Sequence, residues 1–291
     1  MLAARSMRAC EVCGASEFRP VGDKDGHHVV RCTTCALERI DPQPTDETLA
    51  QIYGEHYYDA WGLHTDAQLV VEQMKRSTFR RVIRGLGNGA TGKLLDCGAA
   101  TGFLMGEARE LGYEPFGVEL SEFGAKKIAE RFGPEHAFQG QLEDAPFADG
   151  SFQAITMCDF LEHVRDPASV LRRANTLLRP GGRIALTVPH VGSLSQRTMG
   201  MRWTNYKVEH LYYFTKKNLE QLLEKMGFRS YRAVTLVKTM NLRYMAHIFN
   251  EFPHWLFTPL MRSASAVVPT RLQHAMFPIM TGDLVAWAEK A

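Results

Sequence analysis

Residues 94–120, LLDCGAATGFLMGEARELGYEPFGVEL, restrict what this chain can fold into more than any other stretch. Leu94 and Leu95 open a buried strand, Gly98 and Gly102 let the backbone turn tightly and approach a ligand, and Phe103 to Leu111 repeats apolar residues at helical spacing. A second strand then ends on Glu119, 23 residues after Asp96. Strand, glycine turn, helix and strand, with a carboxylate closing each strand, form half of a nucleotide-binding α/β sheet.

Charge decides which nucleotide fits. A dinucleotide lays an anionic pyrophosphate against the turn and the helix N-terminus, where Asp96 would oppose it, and the GxGxxG spacing is absent. S-adenosylmethionine (SAM) carries no phosphate but has a sulfonium and an ammonium, which suit a carboxylate-lined turn. Here the chain resembles the class I SAM-dependent methyltransferases, whose first motif is DxGxGxG. The motif stands as Asp96, Gly98, Ala100 and Gly102, with alanine at the middle glycine, where its methyl narrows the contact with the methionine moiety. The resemblance implies that Asp96, Gly98, Ala99 and Gly102 hold the methionine part and that Glu119, followed by Leu120, takes the ribose. Gln141 and Leu142, after the third strand, face the adenine, with Glu143 as an alternative acceptor for its amino group. Asp159, after the fourth strand, completes the expected cofactor set.

Four of the six cysteines form Cys10-x2-Cys13-x18-Cys32-x2-Cys35, the spacing of two knuckles closing one tetrahedral zinc site. Disulfides are disfavoured in a cytosolic chain, and thioredoxin-type chemistry needs a single CxxC at a helix start. Four protein sulfurs leave no open position on the ion, so the expected zinc is structural. His27 and His28 read as solvated loop residues, and Cys158 as a small core cysteine.

With 34 basic and 32 acidic residues, the chain gives no electrostatic case for wrapping nucleic acid. MLAARSMRAC contains no apolar signal-peptide core, and no run of about 18 apolar residues reads as a membrane span. A reducing cytoplasm is the expected location.

Three regions are expected: a zinc-binding module at 1–45, a linker and helical cap at 46–92, and a methyltransferase domain at 93–291. The cap holds a helix at 66–86, with Leu69, Val70, Met74, Phe79, Val82, Ile83 and Leu86 inward and a solvated basic outer face. From Lys93 onward strands and helices alternate, which calls for a doubly wound, mostly parallel sheet. The family resemblance runs over residues 93–238, and the knuckles followed by DPxPT and IYxxxYY resemble a bacterial subgroup implicated in modifying glycans, lipids or secondary metabolites.

Methyl transfer needs an aligned acceptor and, for a hydroxyl, a base. His163 follows the fourth strand, and His210 lies in WTNYKVEHLYYFT, which resembles the family's substrate-side segment; these are the candidate catalytic residues. Asp159, Glu162 and His163 also resemble the Glu-x-x-Glu-His cluster of ubiquinone-biosynthesis O-methyltransferases, where a divalent metal is implied, with aspartate here in place of the first glutamate. No NPPY-like sequence of base-methylating enzymes follows the fourth strand. Residues 241–277 form a low-charge insertion rich in Phe, Trp, Met and Leu, for which core packing is the leading reading against a lid, a dimer surface or an interfacial membrane contact. The expected function is methylation, at oxygen, of a small, glycosyl or lipid-like acceptor. An RNA methyltransferase and a non-catalytic SAM-binding domain are the alternatives.

Overall fold

The computed structural model describes residues 8–52, 68–87, 91–251 and 253–291. The aromatic run at 53–58 and linker residues 88–90 lie outside them, as do the side chains of Leu69 and Val70.

The N-terminal part forms a meander of β1 (Phe18–Lys24), β2 (His27–Cys32) and β3 (Glu38–Ile40), followed by α1 (Asp46–Ile52) and α2 (Gln68–Arg84). The alternating unit then runs β4 (Gly92–Cys97), α3 (Phe103–Glu110), β5 (Tyr113–Glu119), α4 (Glu122–Phe132), β6 (Ala137–Gln139), β7 (Phe152–Cys158), α5 (Pro167–Leu177) and β8 (Leu178–Pro189). After it come α6 (Leu194–Met199), β9 (Tyr212–Tyr213), α7 (Lys216–Lys225), β10 (Phe228–Met240), α8 (Leu242–Glu251), α9 (Phe257–Val267), α10 (Thr270–Gln273) and β11 (Phe277–Lys290).

Seven strands make one sheet in the order β10-β11-β8-β7-β4-β5-β6. The pairings from β8 through β6 are parallel, while β11 is antiparallel to both its neighbours. The chain steps outward from β4 to β6 and then reverses through β7 to β8, so the switch point lies at the carboxyl ends of β4 and β7, where such sheets bind ligands. Local signals set the helices: Ser121 caps α4, and Thr215 and Asn218 form a reciprocal capping box on α7. Pro180-Gly181-Gly182 loops out of the β7–β8 pairing, whose register jumps from Phe152↔Leu178 to Ala154↔Arg183.

Both faces of the sheet are covered. Val82, Ile83 and Leu86 of the α2 segment bury against Leu94 and Trp287, whose indole donates to the Val82 carbonyl at 2.8 Å. Leu171 and Ala174 of α5 and Leu219 and Leu222 of α7 belong to the larger core. The basic face of α2 is not simply solvated: Arg76 and Arg80 pair with Glu107 and Glu110 of α3, which clamps the two helices together.

Two features depart from the sequence reading. The meander gains a fourth strand, β9, in the order β1-β2-β3-β9, so the N-terminal part and the substrate-side segment share a sheet. The insertion is also only partly core: Leu242, His254 and Thr258 are buried, but Trp255, Leu256, Leu260, Val267 and Leu272 are exposed, and α9 and α10 bury almost none of their side chains.

Candidate active site

The expected cofactor residues line up along the carboxyl edge of four neighbouring parallel strands: Asp96 to Gly102 at the end of β4 and in the turn beyond it, Glu119 and Leu120 at the end of β5, Gln141 and Leu142 after β6, and Asp159 after β7. The turn after β4 is left-handed at Gly98 (φ 73°), Ala100 (φ 48°) and Gly102 (φ 79°). A Cβ at Gly98 would come within 2.7 Å of the Phe160 ring, so that glycine is sterically required. At Ala100 the chain keeps a side chain in a conformation that costs about 1 kcal/mol or more for an L-residue. Glu119 secures the turn: its Oε2 accepts from the Ala100 amide at 2.8 Å and its Oε1 from the Ser121 amide at 2.9 Å.

Asp96 is almost wholly buried and accepts from the Thr156 hydroxyl at 2.7 Å. Burial pushes its carboxyl up to about 7, the Thr156 bond opposing and the Glu119 charge adding to the shift. Leu120 is 66% exposed, unusual for a large apolar side chain at the end of a buried strand, whereas Leu142 is in the core. Gln141 is exposed.

Asp159 is drawn to the other side of the switch point. Its backbone is left-handed (φ 51°), its amide donates to the Thr187 hydroxyl, its Oδ1 accepts from that hydroxyl at 2.8 Å, and Lys238 of β10 lies 3.6 Å away. Lys238 also pairs with Asp283 of β11 at 2.9 Å. Burial by itself would lower the Lys238 ammonium, and the charges of Asp159 and Asp283 more than reverse it, holding the group above its ordinary value. Tyr244 of α8 feels the same two charges, Lys238 and Asp159. Neither Lys238 nor Asp283 was singled out from the sequence.

His163 and His210 come together, with ring centroids 4.7 Å apart and planes near perpendicular. His210 donates from Nδ1 to the Asn205 carbonyl at 2.8 Å, and His163 bonds the backbone of Glu209. Burial pushes His163 down to about 4 against the pull of Asp159, and pushes His210 well below its ordinary value, with His163 and Lys207 adding to that shift. Both rings are therefore neutral at pH 7. Ligand atoms of Glu162, His163 and His210 all lie within 4.8 Å of one another. Glu162 is buried with no hydrogen-bond partner at Oε2, and burial, then the Asp159 charge, raises it well above the usual carboxylate range.

The four N-terminal cysteines also converge. Sγ of Cys10 and Cys35 are 3.4 Å apart, those of Cys13 and Cys32 3.6 Å, and all four fall within 4.8 Å of one another. A tetrahedron of about 2.3 Å zinc–sulfur bonds has edges of about 3.8 Å, so the cluster fits zinc. Each knuckle is a turn closed by an amide onto the first cysteine's carbonyl, Gly14 to Cys10 and Ala36 to Cys32.

This module is bonded into the active site. Asn218 of α7 donates to the Cys35 carbonyl and Lys225 to that of Val12. The Tyr206 hydroxyl donates to buried Glu38 at 2.6 Å, and the Ile40 amide to the Leu211 carbonyl. The Leu211 amide in turn donates to the Glu162 carbonyl at 2.7 Å, so β3, His210 and Glu162 are linked through three residues.

The chain is similar to known methyltransferases. Residues 70–232 match the family model of a methyltransferase domain. A ubiquinone biosynthesis O-methyltransferase of Albidiferax ferrireducens is 33% identical over 101 residues, 31% of this chain and 38% of that one. A tRNA U34 carboxymethyltransferase of Syntrophotalea carbinolica is 28% identical over 149 residues, 49% and 46% of the two chains. The chain thus spans less than half the length of these curated relatives. Among solved structures, Burkholderia thailandensis 1,6-didemethyltoxoflavin-N1-methyltransferase, with its acceptor and S-adenosylhomocysteine bound, shares the fold at a TM-score of 0.52 and 17% identity, covering 94% of this chain and 99% of that one. The matched family spans more than half of the 291 residues and coincides with the switch point and its glycine turn. This chain belongs to the class I SAM-dependent methyltransferases.

Proposed function

We propose that this enzyme methylates a hydroxyl oxygen of a small, glycosyl or lipid-like acceptor, with His163 as base and His210 as its positioning partner. The observation that carries this reading is the pair of neutral imidazoles beside the carboxyl end of β7. A bound SAM would supply an activated methyl group with its thioether as leaving group, and an imidazole nitrogen of His163 would take the proton of the acceptor hydroxyl. His163 is the more accessible ring and His210 the more buried, which fits these two roles.

On the cofactor side, Asp96, Gly98, Ala99 and Gly102 are assigned to the methionine moiety, Glu119 to the ribose, Gln141 to the adenine amino group and Leu120 to the adenine face. Leu142, being buried, contributes only its backbone. The pull of Thr187 and Lys238 reassigns Asp159 to the acceptor side. A structural zinc held by Cys10, Cys13, Cys32 and Cys35 completes the reading.

The O-methyltransferase relatives support oxygen as the target, and the tRNA-modifying relative makes RNA the comparison arm of the test. The enzyme is incubated with methyl-labelled SAM and cell extract, then lipid, glycan, RNA and small-molecule fractions are separated. Label that is lost on ether-selective cleavage supports the proposal, and label in RNA or on nitrogen overturns it.

One observation favours a second reading. The unpartnered Oε2 of Glu162, facing His163 and His210, is the donor set of a divalent cation that would lower the pKa of a bound acceptor hydroxyl. Activity that falls on mild chelation and returns with magnesium or manganese, while the cysteine-bound zinc stays in place, selects this reading.

A further inference from the structure

Between β10 and β11 the chain leaves the sheet for α8, α9 and α10. Most of the exposed large apolar side chains among the described residues sit there or at the start of β11: Trp255, Leu256, Leu260, Val267, Leu272 and Met280. Exposure reaches 66% at Trp255 and 80% at Val267, and Thr258 alone is buried in α9, so this helix contributes almost nothing to a core. The α6 segment joins the same face. Ser195 donates to the Thr281 carbonyl at 3.3 Å, the Arg202 guanidinium stands 5.7 Å from the Trp255 ring, and Leu194 is 74% exposed.

The charge on this face has one sign. Residues 190–202 and 252–282, which these contacts join, contain no Asp or Glu, although the chain has 32. They carry Arg197, Arg202, Arg262 and Arg271, all exposed. Apolar side chains interleaved with arginine suit a bilayer interface, where rings and aliphatic chains enter the headgroup region and guanidinium groups meet lipid phosphates. A second copy of the chain fits less well, because a two-fold interface would set the same arginines against each other.

We propose that the face formed by α6, α9 and α10 docks on a membrane surface that contains anionic lipids. It adds to the methylation reading and does not depend on which atom is methylated. Tyr244 of α8 lies within reach of the Lys238 and Asp159 charges, and α8 is tied to α9 by the Thr258 hydroxyl, which donates to the Phe249 carbonyl at 2.8 Å. Docking therefore holds the acceptor side of the enzyme at the lipid surface.

The test is co-sedimentation of the full chain with vesicles of phosphatidylcholine alone and of phosphatidylcholine mixed with phosphatidylglycerol. The protein should bind the mixed vesicles, bind the neutral ones far less, and lose binding as salt rises. Two variants, Trp255→Ser with Leu256→Ser and Arg262→Ala with Arg271→Ala, should each lower partitioning on the order of tenfold with SAM affinity unchanged. They alter different exposed side chains, so if one fails to fold the other decides. Equal binding to both lipids, no binding to either, binding untouched by a folded variant, or a dimer in sedimentation velocity that the variants dissociate would each overturn the proposal.

Discussion

The two sides of the switch point are built differently. The cofactor side, from β4 to β6, is assembled within fewer than fifty consecutive residues, and its turn is closed by neighbours: Glu119 holds Ala100 and Ser121. The acceptor side draws Glu162 from the turn after β7, Lys238 from β10 and Asp283 from β11, and is backed by Glu38 and Tyr206 across the cysteine-bearing sheet. One side is a local motif of neighbouring residues, and the other is a tertiary arrangement of residues distant in sequence. Perturbations should therefore separate: those on the acceptor side lower turnover and leave SAM binding alone, and those at Asp96 do the reverse.

The largest effect is expected at His163. His163→Ala should lose about two to four decades of turnover, the range of a removed general base, with SAM affinity unchanged in calorimetry. Because burial pushes His163 down to about 4, the wild-type turnover at saturating SAM should hold steady from pH 8 down to about 5 and fall only as the ring protonates near 4. A limb near 6.5 would show that the ring is solvated and the acceptor side open.

Next in size is metal removal. If Cys10, Cys13, Cys32 and Cys35 hold zinc, stripping it loosens β3, and with it β9, His210 and Glu162. A displacement of that kind should lower kcat/KM on the order of a hundredfold, with SAM affinity unchanged. Equal loss of both would erase the distinction between the two sides.

Smallest, and on the cofactor side, is Asp96→Asn. The ionised carboxylate favours the cationic cofactor, so wild-type SAM affinity should rise with pH through about 7. The variant should bind roughly tenfold more weakly at pH 8 and show no such rise. Stability carries the opposite sign. An unfolded aspartate titrates at about 3.9, so from there to about 7 the native state keeps a proton that the unfolded chain has lost. Wild-type stability should fall as pH rises across that window, and Asp96→Asn should flatten the slope in denaturant titrations.

What the sequence disclosed follows the same division. The β4–β6 edge, the capping residues and the four cysteines are contiguous or regularly spaced, so periodicity and motif spacing reach them. Two-residue β9 has no periodicity of its own and exists only because Glu38 and Arg39 pair with Tyr213 and Tyr212. The meeting of His163 and His210 was anticipated only as two separate candidates. Their low protonation constants come from burial, which no local pattern records. Hydrophobic composition made 241–277 look like core, since composition counts apolar residues without saying which way they face.

The β3–β9 pairing also imposes an order of events on a chain made from its N-terminus. The knuckles and the meander emerge first, with all four sulfurs needed to take a metal, yet the strand that completes their sheet arrives roughly 170 residues later, a separation of the kind that slows folding. Until then β3 is an open edge, with buried-type residues such as Ile40 waiting for a cover. The acceptor side can close only when the first and last thirds of the chain have met.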